Sequence, residues 1–150
     1  MFNEVKKALP TDIAVCTAAV SDFRPIFKNK QKLKKKISLD KIQLEQNPDI
    51  LEFLGKNNRH KPKLLVGFSA ETENIVENSI EKMKEKHCDI IIANDVSKKD
   101  SGFNSDYNKV LIIDKRGKIK SISKNKKSYI ANTIAKVILD KLLLNDKNIN

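Results

Sequence analysis

Residues 64–74 read LLVGFSAETEN. The run Leu64–Phe68 is apolar without alternation, the mark of a strand buried on both faces. It contains Gly67, one of only four glycines in the chain, and then meets small residues and the carboxylate of Glu71. Glycine at the end of a buried strand lets a ligand or a neighbouring backbone come close. Ile75, Val76, Ile80 and Met83 follow at helical spacing, so residues 72–87 are predicted to form a helix with these side chains inward. The segment is a strand–turn–helix unit.

Two other runs match it. DIAVCTAAV (12–20) and DIIIAND (89–95) are also apolar throughout. Before the first, Phe2, Val5 and Leu9 sit on one side of a predicted helix over 2–9, closed by Pro10. Residues 21–36 are polar and lysine-rich and read as a loop. ISLDKIQLEQ (37–46) alternates and reads as a half-exposed strand. NPDILEFLGK (47–56) opens like a helix, with Asn47 as N-cap, Pro48 in the first turn, Asp49 favourable to the dipole and Gly55 near the stop. A polar loop spans 97–108. Residues 109–122 read as a hairpin around Arg116-Gly117. Residues 127–144 read as a last helix with Ile130, Ile134, Val137, Ile138 and Leu142 inward. Buried strands alternating with helices predict one α/β domain over 1–150: a mostly parallel sheet, helices on both faces, and a C-terminal hairpin and helix.

In such sheets ligands gather beyond the carboxyl ends of the strands. Asp22, Glu71 and Asn94-Asp95 follow the three buried runs, so they are expected at one edge. Each has a plainer reading. Glu71, Thr72 and Asn74 suit a helix cap, and Asn94-Asp95 suits a turn. The lysines at 32–36 suit a solvated loop, and Lys82 and Lys86 a solvated helix face. Together, acids, amides and lysines at one edge would suit a polyphosphate with a magnesium ion.

The 150 residues carry a formal net charge of +11. Arg stands at only three positions, 24, 59 and 116, and Lys supplies the other 27 basic residues. Nucleic-acid readers lean on Arg for bidentate contacts, so no specific nucleic-acid partner is expected. The charge fits an anionic small molecule equally well; a lysine-rich polyanion-binding module stands as the alternative. Cys16 and Cys88 edge apolar runs and read as reduced thiols of a cytoplasmic protein. His60 and His87 lack ligand spacing, so no zinc site is expected and no residue is singled out as a metal ligand. No apolar run is long enough to span a membrane. No nucleophile–base pair, Walker A motif or G-x-G-x-x-G is present.

AAVSDFRP (18–25), KLKKK (32–36), NPDIL (47–51), VGFSAETEN (66–74), the pair Lys82 and Lys86, DIIIAND (89–95) and GFNSDYN (102–108) occur together and in this order. In this the chain resembles the phosphopantothenate–cysteine ligase domain of the bifunctional coenzyme A biosynthesis flavoproteins. The resemblance implies a three-layer Rossmann-like fold. It implies CTP as a substrate with Mg²⁺, and 4′-phosphopantothenate and cysteine as the acid and amine to be joined. It implies that Asp22, Pro48, Asp49, Ile50, Leu51, Phe68, Lys82 and Lys86 hold the nucleotide. Ala18 and Ala19 would lie beside the reacting group, and Lys32 would be the catalytic lysine of a flap. A homodimer is implied as well. The Gly/Ser-rich loop that opens the family domain has no counterpart in these 150 residues. The chain is therefore expected to be an N-terminally truncated ligase domain. It would be completed by a separately encoded N-terminal half or a decarboxylase partner, or else be an inactive remnant.

Overall fold

The computed structural model describes residues 1–27, 41–57, 59–97 and 105–147. Its elements are α1 (Phe2–Lys7), β1 (Ile13–Cys16), β2 (Phe23–Pro25), β3 (Leu44–Gln46), α2 (Ile50–Lys56), β4 (Leu64–Glu71), α3 (Ile75–Glu85), β5 (Ile90–Asp95), β6 (Tyr107–Asp114), β7 (Ile119–Lys126) and α4 (Lys127–Lys147). Five strands form one sheet in the order β1-β4-β5-β6-β7. β1, β4 and β5 are parallel; β6 and β7 join antiparallel as the hairpin. The expected α/β architecture is present, as a mixed sheet.

Successive residues of β4 and β5 serve opposite layers, which is why these strands are apolar throughout. Leu64, Val66, Ile90 and Ile92 pack with Ile130, Ile134 and Ile138 of α4. Leu65, Ile91 and Ala93 pack with Leu54 and Met83, and with Val5 and Leu9, on the side of α1, α2 and α3. Each fully buried Leu or Ile contributes about 1.5–3 kcal/mol, so these two layers supply most of the drive to fold. In α3 the innermost place goes to Ser79, fully buried, whose hydroxyl lies 3.0 Å from that of Ser69.

Several local expectations are corrected. β1 ends at Cys16 rather than Val20, because its partner register stops at Gly67 and residues 17–20 leave the sheet. The predicted loop contains β2, which pairs antiparallel with β3 in a separate two-stranded ladder. β3 is exposed along its length and shorter than the predicted strand. The cap of α2 is Asp49, whose Oδ1 accepts from the Glu52 N–H at 2.8 Å, and not Asn47. Gly55 stands near the stop of α2 as expected, one residue before its end, and is buried. α3 begins at Ile75; Asn74 stands before it with φ 45° and no side-chain cap.

The two edges of the sheet differ. β7 carries Lys120, Lys124 and Lys126, with Lys118 just before it, and charges of this kind discourage further strand pairing. β1 reads Ile-Ala-Val-Cys and pairs only with β4 among the described residues. The Leu64 N–H donates to the Asp12 carbonyl at 3.1 Å. Strand alternation therefore sends the amide groups of Ile13 and Val15 away from β4.

Candidate functional site

The parallel strands β1 and β4 run side by side, and the chain leaves β1 at Cys16, level with Gly67. Residues 17–22 then turn over the end of the sheet towards the entrance of α2. A cleft of about 290 Å³ lies between them, lined by Cys16, Thr17, Ala18, Val20, Asp22, Asp49, Ile50, Leu51, Phe68 and Lys82 together with Met1, Val5 and Val15. It shares Met1, Val20 and Ile50 with an adjoining cleft of about 620 Å³, where Arg24, Asn47 and Pro48 stand.

Seven of the eleven residues singled out from sequence meet in the first cleft: Ala18, Asp22, Asp49, Ile50, Leu51, Phe68 and Lys82. Pro48 lines the neighbouring one. Ala19 is exposed and lines neither. Lys32 lies outside the described residues. Lys86 is placed close by, but its ammonium faces acids: Glu85 Oε1 at 2.6 Å, Asp49 Oδ2 at 3.3 Å and Glu52 Oε2 at 3.3 Å. The Glu85 hydrogen bond raises its pKa above the usual lysine range against partial burial, with Asp49 and Glu52 adding to it. Lys86 thus fixes Asp49, the cap of α2, at the cleft wall. Glu52 is held below the usual carboxylate range by Lys56 first and Lys86 second.

Gly67 has a definite neighbour. A Cβ there would stand 2.7 Å from Leu51 Cδ2 and 3.3 Å from Cys88 Sγ. The close approach that the glycine permits is that of α2, whose Leu51 seats against β4 and closes the cleft floor. Burial pushes the Cys88 thiol up to about 12 and, with Asp49 nearby, raises Cys16 as well. Neither thiol is a ready nucleophile at neutral pH.

The acids expected at one edge divide. Asp22 faces the cleft. Glu71 and Asp95 are paired across β4 and β5, and Glu71 accepts from Ser69 Oγ of its own strand at 2.8 Å and from Asn78 Nδ2 of α3 at 3.5 Å. Asn94 Oδ1 is buried and has no hydrogen-bond partner among the described residues.

What the cleft offers is one carboxylate on each wall, an apolar floor, an aromatic ring and one lysine. Among the described residues, no three His, Cys, Asp or Glu side chains could together hold a metal. These residues fit a magnesium ion only as the companion of a phosphate ligand, which supplies most of its oxygens. Sequence reasoning missed Arg24 and Asn47. Both stand in quoted motifs, AAVSDFRP and NPDIL, and Arg24 is also the lone arginine of a lysine-rich segment.

The three layers and a cleft at the carboxyl end of parallel strands define a Rossmann-like α/β domain. The profile of the DNA/pantothenate metabolism flavoprotein C-terminal domain matches residues 1–142. The chain belongs to that family. The coenzyme A biosynthesis bifunctional protein CoaBC of Borreliella burgdorferi is 40% identical over 142 residues, 92% of this chain and 35% of the relative. CoaBC of Bacillus subtilis is 40% identical over 107 residues, 71% of this chain and 26% of the relative. The chain therefore spans about a third of the length of these curated relatives. The crystal structure of the C-terminal domain of CoaBC superposes with a TM-score of 0.72 at 30% identity, covering 97% of this chain and 61% of that one. Among the described residues no helix is long and apolar enough to cross a membrane.

Proposed function

We propose that this chain serves coenzyme A biosynthesis, in the ligation of cysteine to 4′-phosphopantothenate at the expense of CTP. The carrying observation is that Asp22, Asp49, Ile50, Leu51, Phe68 and Lys82, from four separate elements of sequence, line one cleft in a chain matched to the family nearly end to end. Phe68 and the α2 side chains offer an apolar seat for the cytosine, and Lys82 a counter-charge for phosphate. Asp22 accepts a hydrogen bond from the nucleoside or faces its magnesium ion.

The chemistry runs in two displacements. The phosphopantothenate carboxylate attacks the α-phosphorus of CTP, and pyrophosphate leaves. The cysteine amine then attacks the acyl carbon and loses a proton, and CMP leaves with the electron pair of the broken acyl–oxygen bond. The protein's part is to align the reactants and to offset charge. Lys32 would close over the intermediate.

The rest of the site is supplied by a segment outside these 150 residues, in the same polypeptide or a separate one. The open edge of β1 supports this reading. So does the apolar trough of about 470 Å³ beside it, lined by Val15, Thr17, Phe68, Val110, Ile130 and Ile134 among others. The active assembly is a homodimer in the cytoplasm.

Calorimetric titration with Mg-CTP, with Mg-ATP as control, tests the proposal. Selective CTP binding supports it. Absence of binding by the folded chain would overturn the assignment of a nucleotide site to this cleft. Steeply salt-dependent RNA binding without CTP preference would favour a polyanion-binding module.

A further inference from the structure

We infer that Asn47 is the positioning residue of the cleft, bolting the Asp22 turn to the entrance of α2, with Arg24 holding it in orientation. Asn47 stands where the two walls meet. Its backbone N–H donates to the Asp22 carbonyl at 2.7 Å, and its Nδ2 donates to the Ser21 carbonyl at 2.7 Å. Pro48 and the helix cap Asp49 follow it directly, so whatever fixes Asn47 fixes the α2 wall as well. Arg24 Nη1 donates to Asn47 Oδ1 at 2.8 Å, while its Nε donates to Glu45 Oε1 at 2.8 Å.

The amide can face only one way. A guanidinium has donors and no acceptor, so Arg24 must meet the carbonyl oxygen of Asn47, and Nδ2 is thereby aimed at Ser21. An aspartate would keep the Arg24 bond, even strengthen it, but would set an oxygen against the Ser21 carbonyl. A serine or alanine would lose both bonds. The function of Asn47 is therefore specific to the amide, and it acts through Asp22 and Asp49 rather than on a ligand. Its own backbone bond to Asp22 explains how a turn with few apolar contacts keeps its carboxylate at the cleft.

Cys16 and Cys88 provide the test. Cys16 lines the cleft just before the Asp22 turn, while Cys88 is buried beneath Gly67. Alkylation of each thiol by iodoacetamide at pH 8 is followed by peptide mass spectrometry in the full chain. Asn47→Asp should accelerate Cys16 about tenfold, the worth of one ordinary hydrogen bond, and Asn47→Ala, which loses both bonds, more, with Cys88 unchanged in each. Arg24→Ala, at a half-buried position of β2, should accelerate Cys16 less, and Arg24→Lys should restore part of the protection. An unchanged Cys16 rate in Asn47→Asp overturns the inference. So does parallel acceleration of both thiols, which would mean that Asn47 holds the fold rather than the cleft.

As a statement about nucleotide affinity the inference rests on the proposed function. Asn47→Asp should weaken Mg-CTP binding about tenfold. If the native chain binds no CTP, the function fails and the thiol result stands. If the native chain and Asn47→Asp bind equally, the inference alone fails.

Discussion

The α-carbon of Gly55 faces the carbonyl oxygen of Lys86 so closely that a Cβ there would lie 1.9 Å from it. Helix α2 thus rests directly on the last turn of α3, backbone against backbone. The consequence reaches the cleft, because the same contact brings Lys86 to Asp49 and Glu52.

Gly55→Ala forces α2 and the end of α3 apart. We expect a loss of about 2–3 kcal/mol, the upper range for overpacking, since a backbone carbonyl cannot swing aside as a side chain would. Urea denaturation measures it. Gly117→Ala is the contrast: nothing lies within 4 Å, and only the φ of +78° resists, for about 1 kcal/mol. Equal losses in the two variants would contradict the packing account.

Asp22→Asn removes one of the two carboxylates on the cleft walls. We expect Mg-CTP affinity to fall about tenfold with the melting temperature unchanged, since Asp22 is exposed. Equal affinity would remove Asp22 from the site. Lys32→Ala should leave CTP affinity largely intact and slow turnover in the complete ligase; an unchanged rate would end the flap role.

Asp114 is buried at the end of β6, which pushes its carboxyl up. The Lys141 ammonium and the Lys118 and Arg116 amides outweigh that and hold it below the usual carboxylate range. The depressed value sets the sign. Its contribution is fully present above about pH 4, the unfolded value, and is lost as pH falls through the lower folded one. Urea midpoints taken from pH 6 to pH 3 should fall more steeply for the native chain than for Asp114→Asn. Parallel curves would show that the ion pair adds nothing.

Among the described residues, no donor meets the buried Oδ1 of Asn94. Asn94→Leu should stabilise the free chain by about 1 kcal/mol, because an unsatisfied buried acceptor costs more than an apolar atom in its place. Differential scanning calorimetry would read a higher melting temperature. A lower one would mean that the amide makes a compensating contact in solution.

Leu64–Val66 and Ile90–Ile92 were legible as buried strands because both of their faces meet helices, which leaves no polar position in the run. The hairpin was legible from Gly117, whose φ of +78° a bulkier residue resists. β2 and β3 were not. Each has three residues, both are largely exposed, and their pairing depends on a partner about twenty residues away rather than on a local period. In the site, a motif marked which residues gather but not which way they face. Lys82 and Lys86 are equivalent on a helical wheel. Three acids turn Lys86 aside; Glu85 is its neighbour in sequence, but the other two belong to the entrance and first turn of α2, and nothing within α3 announces those. Asn47 read as a cap because Asn before Pro is a common helix entrance; Asp49 supplied the cap and released Asn47 for Ser21 and Arg24.

The unlike edges of the sheet carry a last consequence. A strand ladder that can be extended from both sides grows into a fibre. Here the β7 side repels an incoming strand with its lysines, and only β1 accepts one. Two copies meeting by their five-stranded sheets would therefore meet β1 to β1, about a two-fold axis, and such a pairing uses up the one edge of that sheet left open among the described residues. Whatever strand occupies β1 also ends the sheet's capacity to add another, so assembly through this surface is self-terminating.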